Sequence, residues 1–116
     1  MTDINEKPNT PHEYFRLDIA DLEGVIVASE GMDVIVNLSV LRPHRQLAFD
    51  VNAIGTYNVM AAAIHHDIKR VINTGPHYTI AGPTYENSDY LIGPDVPTQS
   101  GTLLYAITKS LSLIHI

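Results

Sequence analysis

Tyr105 and Lys109, the ends of the segment Tyr-Ala-Ile-Thr-Lys, are the two residues whose types and spacing best suit catalysis. Residues four apart lie on the same side of a helix, so a phenol and an ammonium could point at one reacting centre. Tyrosine ionises at a pH of about 10 when unperturbed, and a nearby cation favours the phenolate. Such a pair is suited to moving a proton on or off a carbinol oxygen during hydride transfer. Because the same spacing arises by chance in many helices, a surface pair without chemistry is the alternative.

The segments that would position this pair alternate between strand and helix signals. A helix is expected to begin near Thr102 and to carry both residues. Upstream of it, the sequence predicts strands at residues 13–18, 33–38 and 70–74 and helices at residues 21–29 and 46–66. This order, with a loop at residues 83–101 before the last helix, predicts an α/β domain with a parallel sheet.

Two of these segments carry packing signals. Residues 33–38 form an almost continuous apolar run with β-branched side chains, which predicts a strand buried on both faces. The helix at residues 46–66 carries a stripe of small residues at spacings of three and four, which predicts close packing against a sheet. The stripe consists of Ala48, Val51, Gly55, Val59 and Ala62.

Composition limits the class of protein. The 116 residues suffice for one small domain, and 45% hydrophobic with 17% charged residues is typical of a globular chain. A net charge of −6, with seven scattered basic residues, argues against nucleic acid or an anionic membrane as the main partner. The absence of cysteine excludes disulfides and thiolate metal sites. The polar N-terminus lacks an apolar signal core and no stretch is expected to cross a bilayer, so a cytoplasmic protein is expected.

Five segments, in this order, resemble the extended short-chain dehydrogenase/reductase family, the NAD-dependent epimerase/dehydratase group. They are Arg16-Leu-Asp-Ile-Ala-Asp21, Gly31-Met-Asp-Val-Ile-Val-Asn-Leu-Ser39, Val51-Asn-Ala-Ile-Gly-Thr-Tyr-Asn-Val59, Lys69-Arg-Val-Ile-Asn-Thr74 and Tyr105-Ala-Ile-Thr-Lys109. The resemblance implies a partial Rossmann-like, doubly wound parallel sheet, made of strands 3 to 5 with flanking helices. It assigns residues 13–116 to a partial NAD(P)-binding domain and leaves residues 1–12 as a loose lead.

The resemblance also implies a role for particular residues. Tyr105 matches the acid/base, Lys109 the lysine that holds the nicotinamide ribose and lowers the pKa of the tyrosine, and Thr74 a strand end beside the nicotinamide. Further residues match positions along the cofactor: Asp18 and Ile19 at the adenine, Leu38, Ser39 and Val40 in the loop after strand 4, and Asn52 on the long helix. Two of these have alternatives without a ligand: Asp18 could cap a turn, and Asn52 could be a buried amide bonded to a neighbouring loop.

The chain departs from the family pattern before the tyrosine. The hydroxyl residue of the family falls on Pro76 in direct register, or on His77 when counted back from Gly82. Proline has no donor, so Thr74, His77, Tyr78 or Thr79 would have to replace it, and the sequence does not choose among them.

Other departures concern the ends of the family fold. No G-x-G-x-x-G loop opens a helix, the last residues do not resemble the family's continuation, and the substrate domain is absent. In the order 3-2-1-4-5-6, lack of strands 1 and 2 would leave the strand at 13–18 without a neighbour and an apolar edge exposed. The isolated chain is therefore expected to fold poorly and to bind dinucleotide weakly. Sharp melting together with tight NADH binding would contradict this expectation.

The function implied by the resemblance is that of a fragment of an NAD(P)-dependent epimerase/dehydratase or reductase, with NAD favoured over NADP. Its substrate would be a small molecule such as a nucleotide-sugar, and the full-length protein would form a homodimer through the long helix and the tyrosine-bearing helix. The alternative is a dinucleotide-binding sensor or scaffold without catalysis. No metal is expected, since His65 and His66 are adjacent on a helix, point in different directions and have no third ligand at suitable spacing.

Overall fold

A computed structural model describes residues 1–41, 44–75, 98 and 100–114 of the chain. The elements are β1 (Thr2–Asp3), β2 (Phe15–Arg16), α1 (Leu22–Ala28), β3 (Val34–Asn37), α2 (Arg45–Phe49), a π-helical segment (Asp50–Ile54), α3 (Gly55–His65), β4 (Arg70–Asn73) and α4 (Leu104–Ile114). The predicted alternation of strands and helices, and with it the α/β fold class, is confirmed. The predictions on Pro76, His77, Tyr78 and Thr79, and most of the predicted loop, lie outside the described residues.

The strands form two separate two-stranded parallel sheets. In one, β3 pairs with β4 so that Val34 lies opposite Arg70 and Asn37 opposite Asn73. Because parallel strands end at the same edge, this register brings the two asparagines together.

The second sheet corrects a prediction. The strand at residues 13–18 was expected to have no neighbour, but its central part, β2, pairs with β1, with Thr2 opposite Phe15. The expected loose lead is thus hydrogen-bonded to this strand: Phe15 N donates to Met1 O at 3.0 Å, and Leu17 N donates to Asp3 O at 2.8 Å. A two-residue strand has no periodicity, so the sequence carried no signal for it. The domain boundary after residue 12 stays a prediction.

Burial of β3 differs from the prediction. Side chains alternate between the faces of a strand, and Val34 and Val36 are 37% and 54% exposed while Asn37 is buried at 3%. The expectation of a strand buried on both faces is therefore wrong for the described part of the chain. One face packs on the long helix, and no described element covers the other.

The core lies between the helices and the inner face of the sheets. Val25 of α1 packs with Val59 and Ala62 of α3, and side chains from the β3–β4 sheet and from the segment after β2 pack against them. Four of the five predicted stripe residues are buried, and Val51 is half-buried. Small side chains at these positions let α3 lie close to the strands, as predicted.

The helical run Arg45–His65 corrects the prediction that no stretch could cross a bilayer. It has 21 residues and a mean hydropathy of 1.2, which is long and apolar enough by length and composition. Half of its apolar window is buried inside the protein. A helix that packs in a protein core has the same composition on its inner face, and here that face contacts α1, β3 and β4.

Candidate active site

The ammonium of Lys109 lies where β3 and β4 end. Its Nζ donates to Ser39 O at 2.9 Å and to Thr74 O at 3.3 Å, and the residue is 1% exposed. The structure thus brings together three of the predicted site residues, one from the loop after each strand and one from α4. Carboxyl ends of parallel strands are the usual position of ligand sites in open α/β sheets.

Burial lowers the pKa of Lys109 from its ordinary value of 10.5. Its described partners are carbonyl oxygens rather than a carboxylate, so the positive charge is solvated by dipoles and not neutralised. An ammonium has three N–H donors, and two of them bond to these carbonyls. Within the described residues the third has no hydrogen-bond partner.

Tyr105 lies one helical turn before Lys109 on α4 and is half-buried. The predicted i, i+4 relation is therefore present on a helix. Thr108 lies between these two residues in the sequence and is fully buried. Its Oγ1 donates to Tyr105 O at 3.0 Å. This bond fixes the turn that carries both candidate catalytic residues.

Asn52 connects this turn to the rest of the site. It is fully buried in the π-helical segment, and its Nδ2 donates to Thr108 Oγ1 at 3.0 Å and to Leu41 O at 2.7 Å. Its Oδ1 accepts from Leu41 N at 3.0 Å. These contacts match the alternative of a buried amide bonded to a neighbouring loop, and they link the loop after β3, the long helix and α4. π-Helical turns occur frequently at functional sites.

The loop after β3 has both exposed apolar side chains and an anchored polar one. Leu38 and Val40 are 66% and 45% exposed, whereas Ser39 is half-buried and donates from its backbone N to Asn37 Oδ1 at 3.1 Å. Two exposed apolar side chains flanking an anchored serine form a surface suited to a flat, partly apolar ligand.

Asp18 and Ile19 form a turn after β2. Asp18 is exposed, and its Oδ1 accepts from Ala20 N at 2.9 Å, as expected of a residue that caps a turn. Asn58 of α3, 3% exposed, donates from Nδ2 to Ile19 O at 2.9 Å. The side chain of Ile19 packs on Gly55, where a Cβ would lie 2.6 Å from Ile19 Cγ2. The turn is therefore held by α3.

Several buried or well-placed polar residues were missed. Asn37 and Asn73 end the two paired strands, and Nδ2 of Asn37 donates to Asn73 Oδ1 at 2.8 Å. The sequence could have predicted them, because each is a polar residue at the end of an otherwise apolar strand. Asp3, at the end of β1, had no signal because β1 itself had none.

The adjacent histidines do not form a metal site with other described residues. Their rings meet edge to face at 4.7 Å, and Nε2 of His66 lies 2.8 Å from Ile26 O of α1. Among the described residues no group of three His, Cys, Asp or Glu could hold a metal ion.

Comparison with known proteins identifies the family. No family profile matches the chain. Uronate dehydrogenase of Agrobacterium fabrum is 34% identical over 100 residues, which cover 84% of this chain and 36% of that protein. A solved structure of uronate dehydrogenase from Agrobacterium tumefaciens matches with a TM-score of 0.76 and 28% identity, covering 96% of this chain and 42% of the other. The chain belongs to the extended short-chain dehydrogenase/reductase family.

Other members of the extended short-chain dehydrogenase/reductase family agree with this assignment. L-arabinose 1-dehydrogenase (NAD(P)(+)) of Haloferax volcanii is 34% identical over 76 residues, 62% of this chain and 30% of that protein. The UDP-glucose 4-epimerase of Thermus thermophilus in complex with NAD has a TM-score of 0.73 at 19% identity, over 88% of this chain and 34% of the other, and shares the fold. The chain spans about a third of the length of the curated relatives it matches.

The family topology explains the additional sheet. In the order 3-2-1-4-5-6, the neighbour of strand 3 is strand 2. Since β2 corresponds to strand 3, β1 corresponds to the end of strand 2. The prediction that the chain lacks strand 2 entirely is therefore wrong, and the two sheets are separated at the position of strand 1.

Proposed function

We propose that this chain belongs to an NAD-dependent dehydrogenase that oxidises a carbinol of a free sugar or sugar acid. The supporting observation is the buried ammonium of Lys109, held by Ser39 O and Thr74 O one helical turn after Tyr105. The relatives with 34% identity are a uronate dehydrogenase and an L-arabinose dehydrogenase. The nucleotide-sugar epimerases match below 25% identity and support the fold alone.

The residues of the site suit a dinucleotide. Lys109 has a donor available for a ribose hydroxyl, the loop at Leu38, Ser39 and Val40 offers apolar surface, and Thr74 ends the adjacent strand. Asp18 and Ile19 would border the adenine. Bound NAD supplies the hydride acceptor. Tyr105 would take the proton of the substrate hydroxyl, and Lys109 would orient the ribose.

Asp3 supports NAD over NADP. It ends β1, which occupies the strand 2 position, and its exposed carboxylate accepts from Asn5 N at 3.0 Å and Asn5 Nδ2 at 2.7 Å. An acidic residue at this point of a dinucleotide fold bonds the ribose hydroxyls of NAD and repels the additional phosphate of NADP.

A homodimer is part of the proposal, as is a soluble, cytoplasmic protein. The long helix exposes large apolar side chains at spacings of seven and three, which place them on one side: Leu47, Ile54, Tyr57 and Ile64. An exposed apolar helix face is typical of a protein–protein interface. Sedimentation of the full-length protein at micromolar concentration should give a dimer, and a monomer would contradict this part.

The second candidate is a sensor or scaffold that binds dinucleotide without catalysis. It is favoured by Pro76, which in direct register falls where the family carries a hydroxyl, because proline cannot donate to a substrate oxygen.

The test is an assay of the full-length protein for reduction of NAD and NADP with uronates, L-arabinose and UDP-glucose. We expect reduction of NAD by a uronate or an aldose, and about tenfold or more lower kcat/KM with NADP, because the carboxylate of Asp3 would repel the additional phosphate; a tenfold change corresponds to about 1.4 kcal/mol. Turnover with UDP-glucose alone would contradict the proposal that the substrate is a free sugar or sugar acid. Tight binding of NAD without turnover of any candidate would favour the sensor.

A further inference from the structure

We infer that Asn37 is a positioning residue that holds the ammonium of Lys109 in the candidate active site. This inference deepens the proposed function and rests on it for its catalytic consequence. Asn37 is 3% exposed, ends β3, and does not itself contact Lys109 through any described hydrogen bond. Its influence passes through the two residues whose carbonyls accept from that ammonium.

The first path runs through Thr74. The carbonyl oxygen of Asn37 accepts from Thr74 N at 3.2 Å and from Thr74 Oγ1 at 3.1 Å. These two bonds continue the β3–β4 pairing one residue beyond Asn73 and fix the backbone of Thr74. The carbonyl of the same Thr74 is an acceptor for Lys109 Nζ.

The second path runs through Ser39. Oδ1 of Asn37 accepts from Ser39 N at 3.1 Å, so the side chain folds the backbone two residues on into an Asx-type turn. The carbonyl of Ser39 is the nearer acceptor of Lys109 Nζ. One asparagine therefore anchors both residues that receive the lysine.

The carboxamide of Asn37 is itself held from two sides. Its Nδ2 donates to Asn73 Oδ1 at 2.8 Å on β4 and to Thr56 Oγ1 at 3.3 Å on α3. Thr56 is fully buried and donates to Asn52 O at 2.9 Å in the π-helical segment. Asparagine is suited to this position because it supplies an acceptor to Ser39 and donors to the other two residues at once.

Replacement of Asn37 by leucine keeps the backbone carbonyl that accepts from Thr74 and removes the side-chain bond to Ser39. A loosened Ser39 carbonyl would displace the ammonium from the ribose and the phenol. Because a shift of about 1 Å in a positioned group can lower turnover about 100-fold, replacement of Asn37 by leucine should lower kcat/KM about 10- to 100-fold. Leucine has the same branching and number of heavy atoms as asparagine but no polar side-chain atom, so it removes all three side-chain bonds, and because it is larger it leaves no cavity.

The decisive readout is the reactivity of Lys109 itself, which needs no turnover. The full-length protein is treated briefly with acetic anhydride, and acetylation of Lys109 is compared by mass spectrometry with that of Lys69, whose side chain is 80% exposed. In the unmodified protein Lys109 should be protected. In Asn37→Leu its acetylation relative to Lys69 should rise at least about tenfold, the change expected for about 1.4 kcal/mol of lost protection.

Asn58→Leu is the matched control. Asn58 is also 3% exposed and also bonds a backbone carbonyl, Ile19 O, but it has no described bond to the residues around Lys109. It should destabilise the protein without raising acetylation of Lys109. Thr56→Val, a nearly isosteric change that removes one anchor of Asn37, should raise acetylation in the same direction by a smaller factor, and it serves if Asn37→Leu does not fold.

Two outcomes would overturn the inference. One is protection of Lys109 unchanged in both Asn37→Leu and Thr56→Val. The other is an equal rise in Asn58→Leu, which would show general loosening of the fold. Failure of the proposed dehydrogenase would appear differently, as absent turnover in the unmodified protein with the acetylation pattern intact.

Discussion

At the scale of single residues, Lys109 is the residue whose environment says most about function. A lysine that is 1% exposed and bonded only to carbonyls among the described residues costs stability, because its charge is removed from water without a counter-ion. Such a group is retained where a charge is needed at a site. The sequence predicted the Tyr105–Lys109 pair from local spacing. It could not predict Ser39 and Thr74 as partners of Lys109, since these contacts span 70 and 35 residues.

The lowered pKa of Lys109 predicts a pH dependence of stability. The unfolded chain, with the ordinary value of 10.5, holds the proton more tightly than the folded protein. The unfolding free energy therefore increases as the pH rises through the interval below 10.5. The increase ends once Lys109 is deprotonated in both the folded and the unfolded state. The unfolding free energy of the full-length protein minus that of Lys109→Met should therefore increase with pH over this interval. Chemical denaturation at several pH values measures it.

Lys69→Met is the control for this pH dependence, because its side chain is 80% exposed and pairs with Asp67 at the surface. Its difference from the unmodified protein should stay nearly flat. A flat or falling difference for Lys109→Met would show that the ammonium is not desolvated.

At the scale of elements, the long helix organises the site from its inner face. It holds the loop after β3 and α4 through Asn52, and the turn after β2 through Asn58 and Gly55. Its extent and its buried stripe were predictable because the spacing of small residues is a local property of the sequence. The π-helical segment and the strand β1 were not, because one depends on an additional residue in a turn and the other on pairing between distant segments.

Gly55→Ala tests the packing of this helix against the turn at Ile19. A Cβ at this position would lie 2.6 Å from Ile19 Cγ2, and a clash with a β-branched side chain costs about 1–3 kcal/mol. Alanine has a higher helix propensity than glycine, which stabilises the helix by about 1 kcal/mol. Over most of its range the cost of the clash exceeds this stabilisation. We expect a lower melting temperature of the full-length protein and weaker binding of NAD.

A double-mutant cycle with Ile19→Ala separates the clash from other effects. Removal of the γ carbons of Ile19 should relieve the strain, so the two changes should couple by about 1 kcal/mol or more. Additivity to within about 0.5 kcal/mol would contradict direct packing of Gly55 on Ile19.

At the scale of the whole molecule, the chain is the part of an extended short-chain dehydrogenase/reductase that contains the Tyr-x-x-x-Lys helix and the ends of strands 2 to 5. Family and fold class were predictable, because five segments in a fixed order carry more information than any one of them. The solvent exposure of Val34, Val36 and Ile72 was not, because an apolar strand does not reveal which of its faces a neighbour covers. Among the described residues an apolar sheet face is exposed and the two sheets are separate, and poor folding of these residues alone stays a prediction.

The central claim is that Tyr105 is the acid/base of a dehydrogenase whose cofactor site is built by the strand ends and Lys109. The most direct measurement compares turnover and NAD affinity of the full-length protein with those of Tyr105→Phe, using the substrate found in the panel of sugars. Loss of a general acid/base lowers turnover about 10²- to 10⁴-fold, and we expect a loss in this range with NAD affinity nearly unchanged. Turnover retained within about threefold of the unmodified protein would contradict the assignment.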